Sequence, residues 1–545
     1  MKKILFISIF LSIAIFTACS GGGDDENSYD FPEDSLSYTL PQDCEEIEFS
    51  SSYAGKKCYV IYTNETSIDQ MNTSDSVYES MLNEAEEIST NETPAMKIYK
   101  KAVNMGNGFY RDEVQFDYSN LKIHRNSRTA NDGSDGYNYH TPDSSNHSNF
   151  FITINSTNEN DITSAPFTLK KEGSHCRIWV KSSITTNITD YNSLASVIDS
   201  SYEKLTSICG SNAYNGGYNE ISATSSTKLD ILIYDLFNDS TEGGVLGYFN
   251  GNDFYRTTYY SLSNACQNIH IDSYWLKNAT NITKSTLIHE FQHLLNFCRK
   301  TYSYQTWFTE MLSMSVEDIF QNDINLEDVY SPKGRFYVDF DKPYLGFLNW
   351  PQDSKDPDLG YIYANAYAFG AYLMRNYGGV RLIHEIATNQ YVNSTAITEA
   401  LHTIGYTNES FESVLRKFGM VYINTQIPVN SLYKTINEQF AGNNYVLTSI
   451  DLTDYYFRLY YSQNDLTNDC KKNLYYAENQ AGSFVVDGTT IYAIFGPRIY
   501  KSSYKMTEAI KPYGFTVYYV GTIGPYGSSF DVKHDSNLTM TVVVK

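Results

Sequence analysis

The sequence is short of positive charge, because 40 Lys and Arg residues stand against 63 Asp and Glu residues, for a formal net charge of -23. This balance argues against nucleic acid or an anionic membrane surface as a partner. The cysteines form no C-x-x-C pair, so a cysteine-based metal site is not indicated. Beyond the first 20 residues, no apolar run approaches the length of a membrane span. The mature chain is therefore expected to be soluble and monomeric apart from any N-terminal anchor.

The N-terminus has the pattern of an export signal. Two lysines precede an apolar run that is too short for a membrane span, and residues 16–19 read F-T-A-C. This ending resembles the lipobox of bacterial lipoproteins, in which cleavage leaves a lipid-bearing cysteine. We predict a signal peptide over residues 1–18, lipidation of Cys19 and a flexible tether over residues 19–40. The predicted location is the bacterial cell envelope, at the outer membrane or cell surface. An ordinary cleaved secretion signal is the alternative.

Seven further cysteines are spread along the chain, at positions 44, 58, 176, 209, 266, 298 and 470. In an exported protein a disulfide between Cys44 and Cys58 is plausible. The connectivity cannot be read from the sequence, and the odd count implies at least one free thiol.

The pattern of predicted secondary structure changes twice along the chain. Residues 41–190 carry mostly strand signals, and so do residues 426–545, where glycines separate short apolar runs. Between them, residues 191–425 contain two buried-strand patterns, at 229–234 and 268–272. The same region has predicted helices at 191–209, 307–320, 361–377, 380–388 and 410–424, and Thr306 is the predicted cap of the second. The pattern predicts an α+β protein in which a domain with a mixed-sheet lobe and a helical lobe is flanked by two β-rich domains.

The most specific motif is H-E-F-Q-H at residues 289–293. On a helix, His289 and His293 project from one face and can share one metal ion. Imidazole nitrogen suits Zn²⁺, and Glu290 could take a proton from a water on that ion. The surrounding residues 285–299 are apolar almost all round, which predicts a buried helix. A core helix whose histidines bond to backbone carbonyls is the alternative interpretation.

A zinc site with an open position needs a third protein ligand. The best candidate is Glu310, which lies 17 residues beyond His293 in T-W-F-T-E-M. That interval lets one helix end and the next lie antiparallel against it, with Glu310 in its first turn. The neighbouring side chains are apolar, and a buried carboxylate is usually paired or bound to metal. Stabilisation of a helix N-terminus is the alternative role.

Two segments of this region resemble the hyicolysin family of secreted bacterial metallopeptidases. They are H-E-F-Q-H-x-x-N at residues 289–296 and W-F-x-E-x-x-S-x-x-x-E-D at residues 307–318. Weaker similarity occurs at residues 230–235, 247–249, 269–272 and 363–379. The resemblance covers roughly residues 190–425 and implies a gluzincin, which is a zincin-like peptidase with two histidines and one glutamate on zinc.

The resemblance implies a division of roles among the site residues. His289, His293 and Glu310 would bind one Zn²⁺, and Glu290 would be the general base in peptide hydrolysis. Gluzincins often stabilise the oxyanion with a Tyr or His from the lower lobe, and Tyr363 or Tyr367 fits by position. Glu317 lies on the helical face of Glu310, where it would orient a zinc-bound imidazole. A solvated carboxylate and a packing tyrosine are the alternatives for Glu317 and the tyrosines.

We therefore predict a surface-anchored zinc endopeptidase that acts on a protein or peptide substrate. The alternative is a catalytically inactive zincin-like lipoprotein that binds polypeptide or glycan. A structural zinc site would need a fourth protein ligand, for which His270 on the preceding strand is the rival.

Overall fold

The computed structural model of the chain describes residues 28–71, 97–98, 109–110, 145–154, 161–184, 190–213, 228–238, 244–278, 280–300, 305–337, 340–351, 356–475, 481–486, 489–531 and 537–545. The predicted signal peptide and the predicted lipidation site Cys19 lie outside these ranges. Within them, every helix is too short or too polar to cross a membrane.

The strands are short and occur in three stretches of the chain. Strands β1 to β23 are, in order, Ser28–Asp30, Ser37–Thr39, Glu46–Phe49, Lys57–Thr63, Lys97–Ile98, Phe109–Tyr110, His147–Thr153, Ile162–Glu172, Cys176–Lys181, Leu229–Tyr234, Gly244–Val245, Gly247–Tyr248, Asn268–Asp272, Ile436–Phe440, Asn443–Leu447, Tyr456–Tyr460, Leu474–Tyr475, Ala481–Val486, Thr489–Phe495, Ile499–Lys501, Phe515–Thr522, Ser528–Asp531 and Thr539–Val544.

The helices are concentrated in the middle of the chain. Helices α1 to α9 are Tyr191–Cys209, Ser273–Asn278, Thr280–Arg299, Thr306–Phe320, Leu359–Leu373, Gly379–Thr388, Ser394–Thr403, Phe411–Phe418 and Gln463–Lys472. A π-helical turn, Met374–Gly378, continues α5. The α+β class with a helical lobe is confirmed, whereas α2, α7 and α9 were not predicted.

The central sheet has six strands in the order β12-β13-β10-β9-β8-β7. Strands β9, β10 and β13 are parallel to one another, whereas β12, β8 and β7 are antiparallel to their neighbours. Strand β10 is buried along its whole length, as expected for a central strand covered on both faces. The mixed sheet confirms the predicted sheet lobe, and its strand β13 leads directly toward α2 and α3.

Helices α3, α4 and α5 pack side by side below this sheet and share one apolar core with it. The contact between α4 and α5 is close at Gly370, where a Cβ atom would lie 3.0 Å from Met311 Cγ and against Ser315 Oγ. A side chain at position 370 would therefore push the two helices apart. The predicted cap of α4 is wrong: Gln305 precedes the helix, and Thr306 is its first residue. The cause is that Gln305 has extended backbone angles, as an N-cap residue does.

The two ends of the chain build a common β structure. A six-stranded sheet has the order β17-β20-β21-β4-β23-β2, so β4 from the N-terminal part lies between two C-terminal strands. At the other end, β7 to β9 belong to the central sheet, across the boundary predicted at residue 190. The two predicted β-rich flanks are therefore joined through strand pairing. The exact domain boundaries remain predictions.

Two sequence expectations differ from the structure in this β region. The predicted flexible tether includes residues 28–40, yet β1 pairs with β3 and β2 pairs with β23, while Phe31 and Leu40 are buried. Apolar side chains at these positions contribute enough burial to order the segment. The predicted disulfide is also wrong, because Cys44 and Cys58 are both free thiols. Cys44 instead donates a hydrogen bond to the carbonyl of Glu46.

Candidate metal centre

Helix α3 presents two imidazoles toward the same point. Its apolar residues are buried on every side, so the helix lies inside the protein rather than on its surface. His289 and His293 are four residues apart and therefore share a face, and their Nε2 atoms lie 3.0 Å apart. Both rings are at most 1% exposed. The predicted pair of histidines is therefore assembled in a water-excluded interior.

Helix α4 adds the carboxylate of Glu310 to this pair. Glu310 Oε2 lies 3.2 Å from His289 Nε2, and Glu310 Oε1 lies 3.4 Å from His293 Nε2. These three residues form a potential metal-binding group among the described residues, and all three are buried. We call them the metal cluster.

The spacing of the metal cluster fits a tetrahedral ion. Zn²⁺ bound at about 2.0–2.1 Å holds neighbouring donor atoms about 3.3–3.4 Å apart. The three separations in the metal cluster are 3.0, 3.2 and 3.4 Å, at or slightly below that value, and the two carboxylate distances involve different oxygens of Glu310. Two imidazoles and one carboxylate are also a donor set that zinc accepts, and three protein ligands leave a fourth position for water or substrate.

The start of α4 is fixed by an aromatic anchor. Trp307 is fully buried, and its indole nitrogen donates a hydrogen bond to Gln305 Oε1 over 2.7 Å. The indole also packs against the rings of Phe347 and Phe411. These contacts fix the first turn of α4. Glu310 was predicted in that turn but follows directly after it, because the helix begins at Thr306 and Glu310 is its fifth residue.

Glu317 lies two turns after Glu310 and contacts His289 from behind. Its Oε1 atom is 2.8 Å from His289 Nδ1, and its Oε2 atom accepts a hydrogen bond from Ser285 Oγ. A carboxylate at this position fixes the orientation of a ligand imidazole and increases its basicity. Sequence reasoning missed Ser285, although it precedes His289 by one helical turn on the same face.

His293 is supported by a hydroxyl group rather than by a carboxylate. Its Nδ1 atom lies 2.9 Å from Thr309 Oγ1, and Asn296 Nδ2 donates to the same oxygen over 3.3 Å. Ser313 Oγ, which bonds to Gln292, lies 3.2 Å from His293 Nδ1. Thr309 was not predicted, and its only sequence signal is that it immediately precedes Glu310.

Glu290 and the candidate tyrosines occupy different surroundings. Glu290 follows His289 on α3, and its side chain is fully buried. Tyr367 donates a hydrogen bond to Asp318 Oδ2 over 3.1 Å. Tyr363, one turn earlier on α5, packs edge-on against Trp350 and lies under the guanidinium of Arg335.

The edge of the central sheet reaches the turn of α3 that precedes the ligands. A Cβ atom on Gly247, in edge strand β12, would lie 2.8 Å from Thr286 Cγ2 and 2.9 Å from the carbonyl oxygen of His270. Glycine therefore allows the helix to approach the strand this closely. Thr286 is three residues before His289, so this contact sets the position of the ligand-bearing turn relative to the edge strand.

His270 is not part of the metal cluster. Its Nε2 atom lies 2.9 Å from Asp253 Oδ2, and its Nδ1 atom lies 3.0 Å from Tyr234 Oη. The ring also stacks on Tyr248 of the edge strand, with centroids 4.3 Å apart. Both ring nitrogens therefore have protein partners within the sheet, and the predicted rival fourth ligand is engaged elsewhere.

A second buried polar group lies where α4 contacts α5 and the turn that follows α5. Asp318 bonds Arg375 through both carboxylate oxygens, at 2.7 and 3.3 Å, and Lys333 Nζ lies 3.6 Å away. Burial tends to raise the pKa of Asp318, but the charges of Arg375 and Lys333 lower that pKa below its usual value. We call Asp318, Arg375, Lys333 and Tyr367 the Asp318 cluster.

A mixed sheet beside two packed helices that together carry a buried His-His-Glu cluster is the architecture expected of a metallopeptidase. The model of the family Peptidase M30 matches residues 168–463, which is more than half of the chain. The chain therefore belongs to the peptidase M30 family, the hyicolysin family predicted from its motifs. The match extends beyond residues 191–425 at both ends. No curated protein matches the chain.

Proposed function

We propose that this member of the M30 family is a zinc-dependent endopeptidase that uses Glu290 as its general base. The observation that carries the proposal is the convergence of His289 Nε2, His293 Nε2 and a carboxylate of Glu310 at tetrahedral spacing. The bound ion would polarise the scissile carbonyl and lower the pKa of an attacking water toward about 7.

Glu290 supplies the proton transfers in this proposal. The HExxH spacing places it next to a ligand, within reach of a water on the open side of the cluster. Its carboxylate takes a proton from the attacking water and delivers it to the leaving amine nitrogen. Because Glu290 is fully buried, it acts in a low-dielectric environment where its interactions with developing charge are strong.

Tyr363 is the proposed donor to the oxyanion of the tetrahedral intermediate. The hydroxyl of Tyr367, the other candidate, is already engaged with Asp318. The ring of Tyr363 is held by the edge-on contact with Trp350, 4.7 Å between centroids, and by Arg335, 4.4 Å from its centroid. This packing restricts the rotation of the phenol, and preorganised donors are the ones that stabilise developing negative charge most strongly.

The enclosure of the site has a consequence for turnover. His289, Glu290 and Glu310 are inaccessible to solvent, so the approach of a polypeptide to them requires a rearrangement of the surrounding residues. Such opening steps, rather than the chemistry, limit the turnover of many enzymes.

The proposed substrate is a protein or peptide outside the cytoplasm. The support is the lipobox-like sequence at residues 16–19, which would attach the chain to the envelope through Cys19. Labelling cells with a fatty-acid analogue tests this: the wild-type protein should incorporate label, and Cys19→Ala should not. Equal labelling of both proteins would contradict the anchor.

The test of the proposed function is a casein cleavage assay with matched metal analysis. The wild-type protein should cleave casein and lose activity with a chelator, whereas Glu290→Ala should retain zinc and lose cleavage. The expected loss is at least about 10²- to 10⁴-fold, the usual contribution of general base catalysis. Cleavage by Glu290→Ala at the wild-type rate would overturn the mechanism. A wild-type protein that binds zinc but cleaves nothing would instead indicate the inactive, binding alternative.

A further inference from the structure

The two ligand histidines of the metal cluster receive different support. In both rings the Nδ1 atom faces a residue of helix α4, and the Nε2 atom faces the metal cluster. His289 meets the carboxylate of Glu317, whereas His293 meets the uncharged hydroxyl of Thr309. Threonine is an ordinary residue type in a buried helix. A role for Thr309 therefore has to be argued from the geometry of its contact with His293.

The geometry at Thr309 is that of a hydrogen-bond acceptor. His293 Nδ1 lies 2.9 Å from Thr309 Oγ1. When Nε2 binds a metal ion, the ring hydrogen is on Nδ1 and is donated to this oxygen. Asn296 Nδ2 donates to the same oxygen over 3.3 Å. A hydroxyl oxygen has two lone pairs, and these two donors use both of them. Thr309 and Asn296 are fully or almost fully buried, so no solvent competes for these bonds.

Ser313 is the other hydroxyl near His293, and it does not take this role. Its oxygen lies 3.2 Å from Nδ1 and 3.4 Å from Nε2 of the same ring. An atom in line with the Nδ1–H bond would be much farther from Nε2 than from Nδ1. Ser313 therefore lies beside the ring, and its hydrogen is donated to Gln292 Oε1. The in-line acceptor is Thr309.

We propose that Thr309, held by Asn296, is a positioning residue that fixes the tautomer and orientation of His293 for metal binding. This inference rests on the proposed zinc function of the cluster. Thr309 directly precedes the ligand Glu310, so one turn of α4 supplies both a ligand and the support of another ligand. Outer contacts of this kind contribute about 10- to 100-fold to metal affinity.

The experiment measures metal binding rather than peptide cleavage. Zinc affinity is determined by competition with a chromophoric chelator, and the visible absorption of the Co²⁺-substituted protein reports ligand geometry. Thr309→Val keeps the shape of the side chain but removes the acceptor, so zinc affinity should fall about 10- to 100-fold and the Co²⁺ spectrum should change. Thr309→Ser restores a hydroxyl and should lie within a few-fold of the wild-type affinity.

The matched control is Thr283→Val, a buried threonine on α3 whose hydroxyl has no hydrogen-bond partner among the described residues. It should leave zinc affinity and the Co²⁺ spectrum unchanged. The metal-free forms of all variants are melted as well, because a merely structural role would lower the melting temperature of Thr309→Val without a selective effect on the metal. Such a result, or wild-type affinity in Thr309→Val, would overturn the inference. Wild-type protein that binds no zinc would instead overturn the proposed function on which it rests.

Discussion

Two buried polar clusters meet on helix α4, at the adjacent residues Glu317 and Asp318. Glu317 faces α3 and contacts His289, whereas Asp318 faces α5 and contacts Arg375. In the metal cluster and its support, carboxylates contact imidazoles. In the Asp318 cluster, the carboxylate contacts a guanidinium and an ammonium group. Glu317 thus supports the metal cluster, whereas its neighbour Asp318 forms a buried ion pair.

The difference lies in how each cluster obtains its positive charge. In the Asp318 cluster the side chains of Arg375 and Lys333 supply the positive charge. Arg375 also donates a hydrogen bond to the carbonyl of Thr448, which follows hairpin β14–β15. The Asp318 cluster therefore ties α4 to α5 and to the C-terminal part without any ligand. The metal cluster instead has a donor set suited to a cation from outside the chain. One cluster is expected to act in folding, and the other in chemistry.

The largest expected effect is the loss of folding stability when Arg375 is replaced. Arg375→Met would leave the buried carboxylate of Asp318 with Lys333 as its only cationic partner among the described residues. Breaking a buried ion pair costs about 3–5 kcal/mol of folding free energy. Chemical denaturation of the metal-free protein measures this loss. Zinc affinity should change little, since Arg375 belongs to the other cluster.

Arg381→Met is the control for that variant, because Arg381 is exposed on α6. It should leave the free energy of unfolding almost unchanged. Equal stability of Arg375→Met and Arg381→Met would show that the Asp318 cluster does not hold the helices together.

Tyr363→Phe separates catalysis from metal binding. Removal of one oxyanion donor typically lowers turnover about 10²- to 10³-fold, so casein cleavage should fall by this factor while zinc content stays constant. Tyr526→Phe is the control, since that tyrosine is 96% exposed. An unchanged rate in Tyr363→Phe would assign the oxyanion to another group.

Glu317→Gln tests the support of His289. The amide keeps the size of the side chain but removes the charge that strengthens the imidazole as a ligand, so zinc affinity should fall about 10- to 100-fold. The control Glu399→Gln changes an exposed carboxylate on α7 and should have no effect. Wild-type zinc affinity in Glu317→Gln would mean that the contact with His289 is only structural.

The smallest expected effect is the pH dependence of the folding stability contributed by Asp318. The pKa of Asp318 is lowered in the folded state, so its contribution to stability is complete above the unfolded pKa of about 3.9. That contribution is lost as the pH falls through the lower folded pKa. The stability difference between wild type and Asp318→Asn should therefore be constant near neutral pH and shrink in acid. A stability difference between the two proteins that grows in acid would contradict the lowered pKa of Asp318.

The sequence predicted the ligand helix well because its information is local. His289 and His293 are related by a helical turn, and Glu310 follows after a short interval, so the structure brings together residues that spacing alone could propose. Thr309 could not be recognised, because a threonine in a buried helix has many ordinary roles. Its contact with His293 depends on the rotation of α4 about its own axis, which no local pattern encodes.

The β structure was predicted less completely for a related reason. Individual strands such as β10 and β13 were located at their observed bounds, because their apolar patterns are local. The pairing of β2 with β23 joins Ser37 to Val543, and such a contact depends on the whole chain being folded. The sequence therefore suggested two separate flanks, whereas the structure joins them in one sheet.

The measurement that tests the central claim most directly is the zinc content of purified wild-type protein and of His289→Ala. We expect about one zinc per chain in the wild type, as for a mononuclear site, and no stoichiometric zinc in the variant. Wild-type protein without zinc, or a His289→Ala protein that retains the same zinc content, would contradict it.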